Sequence, residues 1–227
     1  MSENGAAQRT NGRGRSPAAR PTDDELLDAA RAVFADRGFA QATMEAIAER
    51  ANSTKPTLYA HFGDKVALYQ AAFTREATAL GEWLVTVYDA GADQPVPEQV
   101  RGYVMALFRY ATVQPDGFRL LFEGSPEDEM SPARQGMVDL ITRFVAKRVR
   151  SYLRQVGREP GPSAELLAAM MVGLVSSAAH LTLKVEGLDP IAAGELATSF
   201  IQASVRHLTP EALAALDAID GRSEPSV

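Results

Sequence analysis

Cysteine is absent from the 227-residue chain, which excludes disulfides, thiolate zinc sites and thiol nucleophiles. Histidine is nearly as scarce: His61, His180 and His207 are spread too widely for a paired metal motif, so neither a metal nor a cofactor is expected. No segment alternates polar and apolar residues as a strand would, and no G-x-S-x-G nucleophile elbow is present. Gly12-Arg13-Gly14 lacks the flanking strand and helix of a dinucleotide loop, and catalysis is not expected. The stretch MSENGAAQRTNGRGRSPAAR has no apolar core of the kind an export signal requires, so cytoplasmic residence is the expectation.

A basic net charge is missing too. The formal balance is −6, from 23 Lys+Arg against 29 Asp+Glu, which argues against indiscriminate coating of nucleic acid. The distribution is uneven, however: residues 1–75 hold ten basic and nine acidic side chains, and residues 76–227 hold thirteen and twenty. Arg9, Arg13, Arg15 and Arg20 are opposed only by Glu3, so residues 1–21 read as a disordered basic tail.

What the chain has in quantity is helical periodicity. Long proline-free runs cover 57–94, 98–114, 133–159, 163–189 and 191–209, each with apolar residues at three- and four-residue spacing. An interior proline loses a hydrogen bond and clashes with the preceding turn, so the prolines between these runs mark helix boundaries. The fold class expected is all-α with nine or ten helices. Its division is a DNA-reading unit over 22–68, argued below, and a larger helical unit over 69–220. Between Glu165 and Lys184 run eighteen uncharged residues, LLAAMMVGLVSSAAHLTL, close to a membrane-spanning length. Ser176, Ser177, His180 and Thr182 count against a span, and a helix buried in a core or subunit interface is the expectation.

The first helix is predicted to start after Pro21, capped by Thr22 or Asp23, with Leu26, Ala29, Ala30, Val33 and Phe34 as its buried stripe. Gly38 supplies a left-handed stop, Thr43 caps a short second helix carrying Met44, Ile47 and Ala48, and Thr54 caps a third after a tight turn at Ala51–Ser53. Three short helices joined by tight turns suit a helix-turn-helix. A recognition helix needs polar side chains near its N-terminal end that can reach base edges, and Lys55, Thr57 and His61 fit. Thr43, Tyr59 and Lys65 suit phosphate contacts and Thr54 is a further DNA-binding candidate, while capping alone would also explain Thr43 and Thr54.

Residues 24–73, DELLDAARAVFADRGFAQATMEAIAERANSTKPTLYAHFGDKVALYQAAF, resemble the DNA-binding domain of the tetracycline-repressor (TetR) family. The resemblance rests on the Ala29-Ala30 pair with Phe34, Gly38, Thr43, Ile47-Ala48, Thr57-Leu58-Tyr59, His61-Phe62 and Lys65, in order and without a gap. It implies that Thr43, Tyr59 and Lys65 hold the DNA backbone. The chain departs from the family pattern at Asn52, where Gly is usual in the turn, at Ser53, where an apolar residue is customary, and at Pro56, where Gly is frequent.

One subunit reads only a short half-site, so a dimer on a palindromic double-stranded operator is expected. Ala169, Gly173 and Ser177 recur every four residues and would let two helices approach closely, which makes them the expected homodimer interface. The resemblance also implies a four-helix dimer interface near the C-terminus. Trp83, Met105, Phe108, Phe118, Phe122 and Phe144 are candidate walls of a pocket for a small apolar or amphipathic effector, with Arg109, Arg119 and His180 as polar partners. The expectation is a ligand-responsive regulator, a repressor. Its alternatives are a constitutive DNA-binding regulator without effector, or a helical protein that associates with a partner or membrane and does not bind DNA.

Overall fold

The computed structural model describes residues 21–91, 93–123 and 131–221. Of the expected basic tail over 1–21, residues 1–20 lie outside the described residues. Among the described residues ten helices follow one another: α1 (Asp23–Gln41), α2 (Met44–Arg50), α3 (Lys55–Phe62), α4 (Lys65–Ala90), α5 (Val96–Val113), α6 (Pro115–Phe122), α7 (Ser131–Gln155), α8 (Ser163–Lys184), α9 (Pro190–Arg206) and α10 (Pro210–Ile219). Among the described residues there is no strand.

Helix α1 starts where a capping box closes: the Thr22 hydroxyl accepts the Glu25 amide at 3.3 Å, and the Glu25 carboxylate accepts the Thr22 amide at 2.8 Å. Gly38, at φ 71°, breaks α1 as expected, but the chain resumes for one further turn over Phe39–Gln41. The predicted stripe of Leu26, Ala29, Ala30, Val33 and Phe34 is buried against Ile47, Ala48, Leu58, Leu68 and Tyr69. Helix α4 runs unbroken through residue 68, so the expected domain division falls inside a continuous helix.

Behind this unit α5, α6, α8 and α9 share one core, with α7 against α8. Helices α5 and α9 approach closely enough that a β-carbon on Gly194 would sit 2.7 Å from Met105 Sδ. Ala146, Val149 and Leu153 of α7 meet Ala164 and Ala168 of α8 in a second, smaller core. Helix α8 is long and apolar enough to span a membrane, yet it is packed along one side by α7, α9 and α5.

Candidate nucleic-acid interface

Helices α2 and α3 form the helix-turn-helix. Thr43 caps α2 through the Ala46 amide (3.2 Å), and the turn closes when Ser53 N–H donates to Ala48 O at 2.8 Å. Asn52 takes the left-handed conformation, φ 47°, so this residue replaces glycine without losing the turn. Thr54 caps α3 through the Thr57 amide, and Pro56 sits in the first turn, where no intrahelical donor is needed. Leu58 anchors the inner face of α3 and is fully buried, while Lys55, Pro56, Tyr59, Ala60 and His61 face solvent.

Of the expected DNA-facing residues, Thr43, Thr54, Lys55, Tyr59 and His61 are exposed while Thr57 and Lys65 are half-buried, and several already have partners. Lys55 Nζ is ion-paired with Glu45 of α2, a contact that lowers the Glu45 carboxyl and raises the Lys55 ammonium through their mutual hydrogen bond. His61 Nδ1 lies 2.5 Å from Asp23 of α1. Lys65 donates to the Phe39 and Ala42 carbonyls at 3.0 and 3.1 Å and lies over the Phe39 ring, 4.4 Å from its centroid. It thus secures the α1–α2 connection, a role that its sequence position did not reveal. Tyr59 is half exposed and faces away from the core.

Residues 26–72 match the family of bacterial regulatory proteins, tetR family. The activator FasR of Mycolicibacterium smegmatis is 33% identical over 152 residues, 67% of this chain and 66% of FasR. A TetR-like transcriptional regulator from Rhodococcus sp. RHA1 superimposes with a TM-score of 0.70 at 26% identity, covering 85% of this chain and 99% of that one. The chain belongs to the TetR family. It is a helix-turn-helix transcriptional regulator, and its likeness of fold to the Rhodococcus regulator extends well beyond the matched residues 26–72. FadR from Bacillus subtilis, solved with stearoyl-CoA, has a TM-score of 0.67 at 14% identity and covers 79% of this chain and 97% of that one, a likeness of fold.

In this TetR-family chain the outer face of α8 carries Ala169, Gly173 and Ser177, all exposed. A β-carbon on Gly173 would meet nothing within 4 Å. Leu166, Met170 and Leu181 of α8 and Leu196 and Phe200 of α9 are exposed as well, Leu196 by 71%.

The six expected pocket residues do not surround one cavity. Met105, Phe108 and Phe118 are buried and at most 4% exposed: Met105 and Phe108 pack at Gly194 of α9, and Phe118 stacks on Phe122. Trp83 lies at the surface with its Nε1 donating to Ala106 O at 3.1 Å, and Phe144 lies against the Tyr88 ring at 4.7 Å. Phe122 alone of the six borders a cleft of about 480 Å³, with Glu123, Ser176, Ser177, His180 and Lys184. His180 Nδ1 is 3.0 Å from Glu123 Oε1 there. Arg119 instead pairs with Asp116, and Arg109 is exposed.

Proposed function

We propose that the chain binds a palindromic operator as a homodimer and that a small amphipathic effector changes its grip. The observation that carries the first half is the solvent-facing side of α3, on which Lys55, Tyr59 and His61 stand exposed beside Thr57 while Leu58 fixes the helix from behind. A helix entering the major groove needs this arrangement of polar tips on a rigid base. The exposed apolar residues of α8 and α9 support the dimer, since an unpartnered stripe of this kind is covered in most soluble proteins. Binding rather than bond-making is its chemistry, in the cytoplasm where the operator resides.

For the effector, the cleft at Phe122 places an apolar ring beside the Lys184 ammonium and the His180–Glu123 pair, where an anionic head could take the place of the Glu123 carboxylate. That pairing suits a ligand with a hydrocarbon body and an anionic head. The sign proposed is repression through occupancy of a promoter; FasR carries an activator's name, and operator position decides between the two. The test is a duplex selected by the protein from a random pool, titrated with and without dodecanoate and dodecylamine. Dodecanoate should weaken binding, and less so in His180→Ala. The constitutive alternative is favoured by the dispersal of the six expected pocket residues, and it gains if both amphiphiles leave duplex affinity unchanged.

A further inference from the structure

Three polar side chains are buried among the described residues: Glu76, Ser163 and Thr198. Thr198 is satisfied by Gly194 O within its own helix and Ser163 by the Asp220 carboxylate. Glu76, the charged one, stands where the DNA-reading unit meets the sensor helices. Its Oε1 accepts from Arg31 of α1 at 3.2 Å and from Arg75 of α4 at 3.3 Å. Its Oε2 faces the Tyr110 hydroxyl of α5 at 3.5 Å. Arg31 also reaches Gln114 at the α5–α6 junction, at 3.5 Å, and Arg75 reaches back to α1 through Asp24 O (3.1 Å) and Asp28 (2.7 Å).

The fourth helix comes in through a glycine. A β-carbon on Gly117 of α6 would lie 2.3 Å from Glu76 Oε2 and 3.1 Å from the Tyr110 hydroxyl. Helix α6 can therefore pass the carboxylate only with hydrogen at that position. One buried charge touches α1, α4, α5 and α6 together, and a buried ion pair costs desolvation that only well-placed partners offset. A surface network at this junction would tolerate sliding; a buried one has few arrangements that satisfy it.

We infer that Glu76 is the positioning residue that fixes the angle between the DNA-reading helices and the sensor bundle, through Arg31, Arg75, Tyr110 and the bare backbone of Gly117. The inference rests on the operator-binding reading only for its consequence, not for its geometry. When α6 shifts against Glu76, the carboxylate drags Arg31 and hence α1, so sensor movement reaches the recognition helix without direct contact. When the Glu76 carboxylate is neutralised, Arg31 and Arg75 keep only the exposed Asp28 carboxylate between them, at 3.7 and 2.7 Å, and α1 is then held less tightly.

The absence of native cysteine allows the test on the full chain. Cysteines replacing Ala60 on α3 and Lys147 on α7, both exposed, carry spin labels, and labelled chain is diluted in excess unlabelled chain so that each pair lies within one subunit. The distance distribution should be single and narrow in the parent and broadened and shifted in Glu76→Gln, with helical content unchanged. In unlabelled Glu76→Gln, affinity for a duplex selected by the parent should fall about tenfold, within the range of coupled sites. If Glu76→Gln does not fold, Gly117→Ala, which displaces α6 from the carboxylate, is measured in the same way. An unchanged distribution in a folded variant overturns the inference. Failure to select any duplex would count against operator binding alone, because the distance measurement uses no DNA.

Discussion

Lys65 shows what a single side chain adds once its surroundings are known. In the sequence it follows His61-Phe62-Gly63-Asp64 and suits a phosphate contact; in the structure two of its three donors hold the Phe39 and Ala42 carbonyls. A charge-assisted bond of this kind contributes roughly 1.5–3 kcal/mol. Lys65→Ala should therefore lower the melting temperature by several degrees, at about 2–4 °C per kcal/mol for a chain this size, besides weakening all duplexes alike. A variant that melts like the parent would remove the structural role. Lys55→Ala and Thr57→Ala should instead change preference among base pairs, by about 1–3 kcal/mol at defined positions, measured on single-substituted duplexes.

Tyr110 supplies the pH dependence. Burial first, and then the charge of Glu76, push its hydroxyl far above the ordinary tyrosine value of 10.0. The folded chain keeps that proton when the unfolded chain has lost it, so its contribution is complete below about pH 10 and declines as the pH rises further. Chemical denaturation at pH 9 and at pH 11 should show a smaller alkaline loss in Tyr110→Phe than in the parent; equal losses would count against it. None of this was legible from composition. Glu76, Arg31 and Tyr110 are 34 to 79 residues apart in pairs, and nothing in local periodicity marks one glutamate of a surface-rich helix as buried.

At the scale of elements, the sequence specified most of what local chemistry decides. Thr22, Thr43, Thr54 and Asp64 each cap the helix that follows, and Asn52 takes the turn. The buried stripe of α1 also follows directly from its spacing. Periodicity could not tell a core phenylalanine from a pocket wall, because both lie on the inward side of a helix, and this is why Phe108 and Phe118 were candidates yet fill the core. Glycine carries the converse lesson. Gly173 faces open space within the protomer, so Gly173→Leu should leave the fold intact and act only on a dimer packed through α8. Sedimentation should report a folded monomer; a normal dimer would place the interface on another face. Gly194→Ala, where Met105 and Phe108 leave no room, should instead destabilise the protomer by about 1–3 kcal/mol in denaturant unfolding. An unchanged transition midpoint would mean that α5 and α9 separate easily.

For the whole molecule, the negative net charge and the exposed reading face have to be reconciled. A chain at −6 repels DNA at long range, so its grip must come from a few well-placed contacts repeated by two-fold symmetry. Phosphate contacts release counterions, and each one steepens the salt dependence by a slope of about 0.9. The most direct measurement is selection from a random duplex pool followed by binding of the selected duplex across a salt series. The account predicts a palindrome with half-site centres about 34–36 Å apart, bound by two chains, with affinity falling steeply as salt rises. Recovery of no preferred duplex, or binding by a single chain to an asymmetric site, would contradict it.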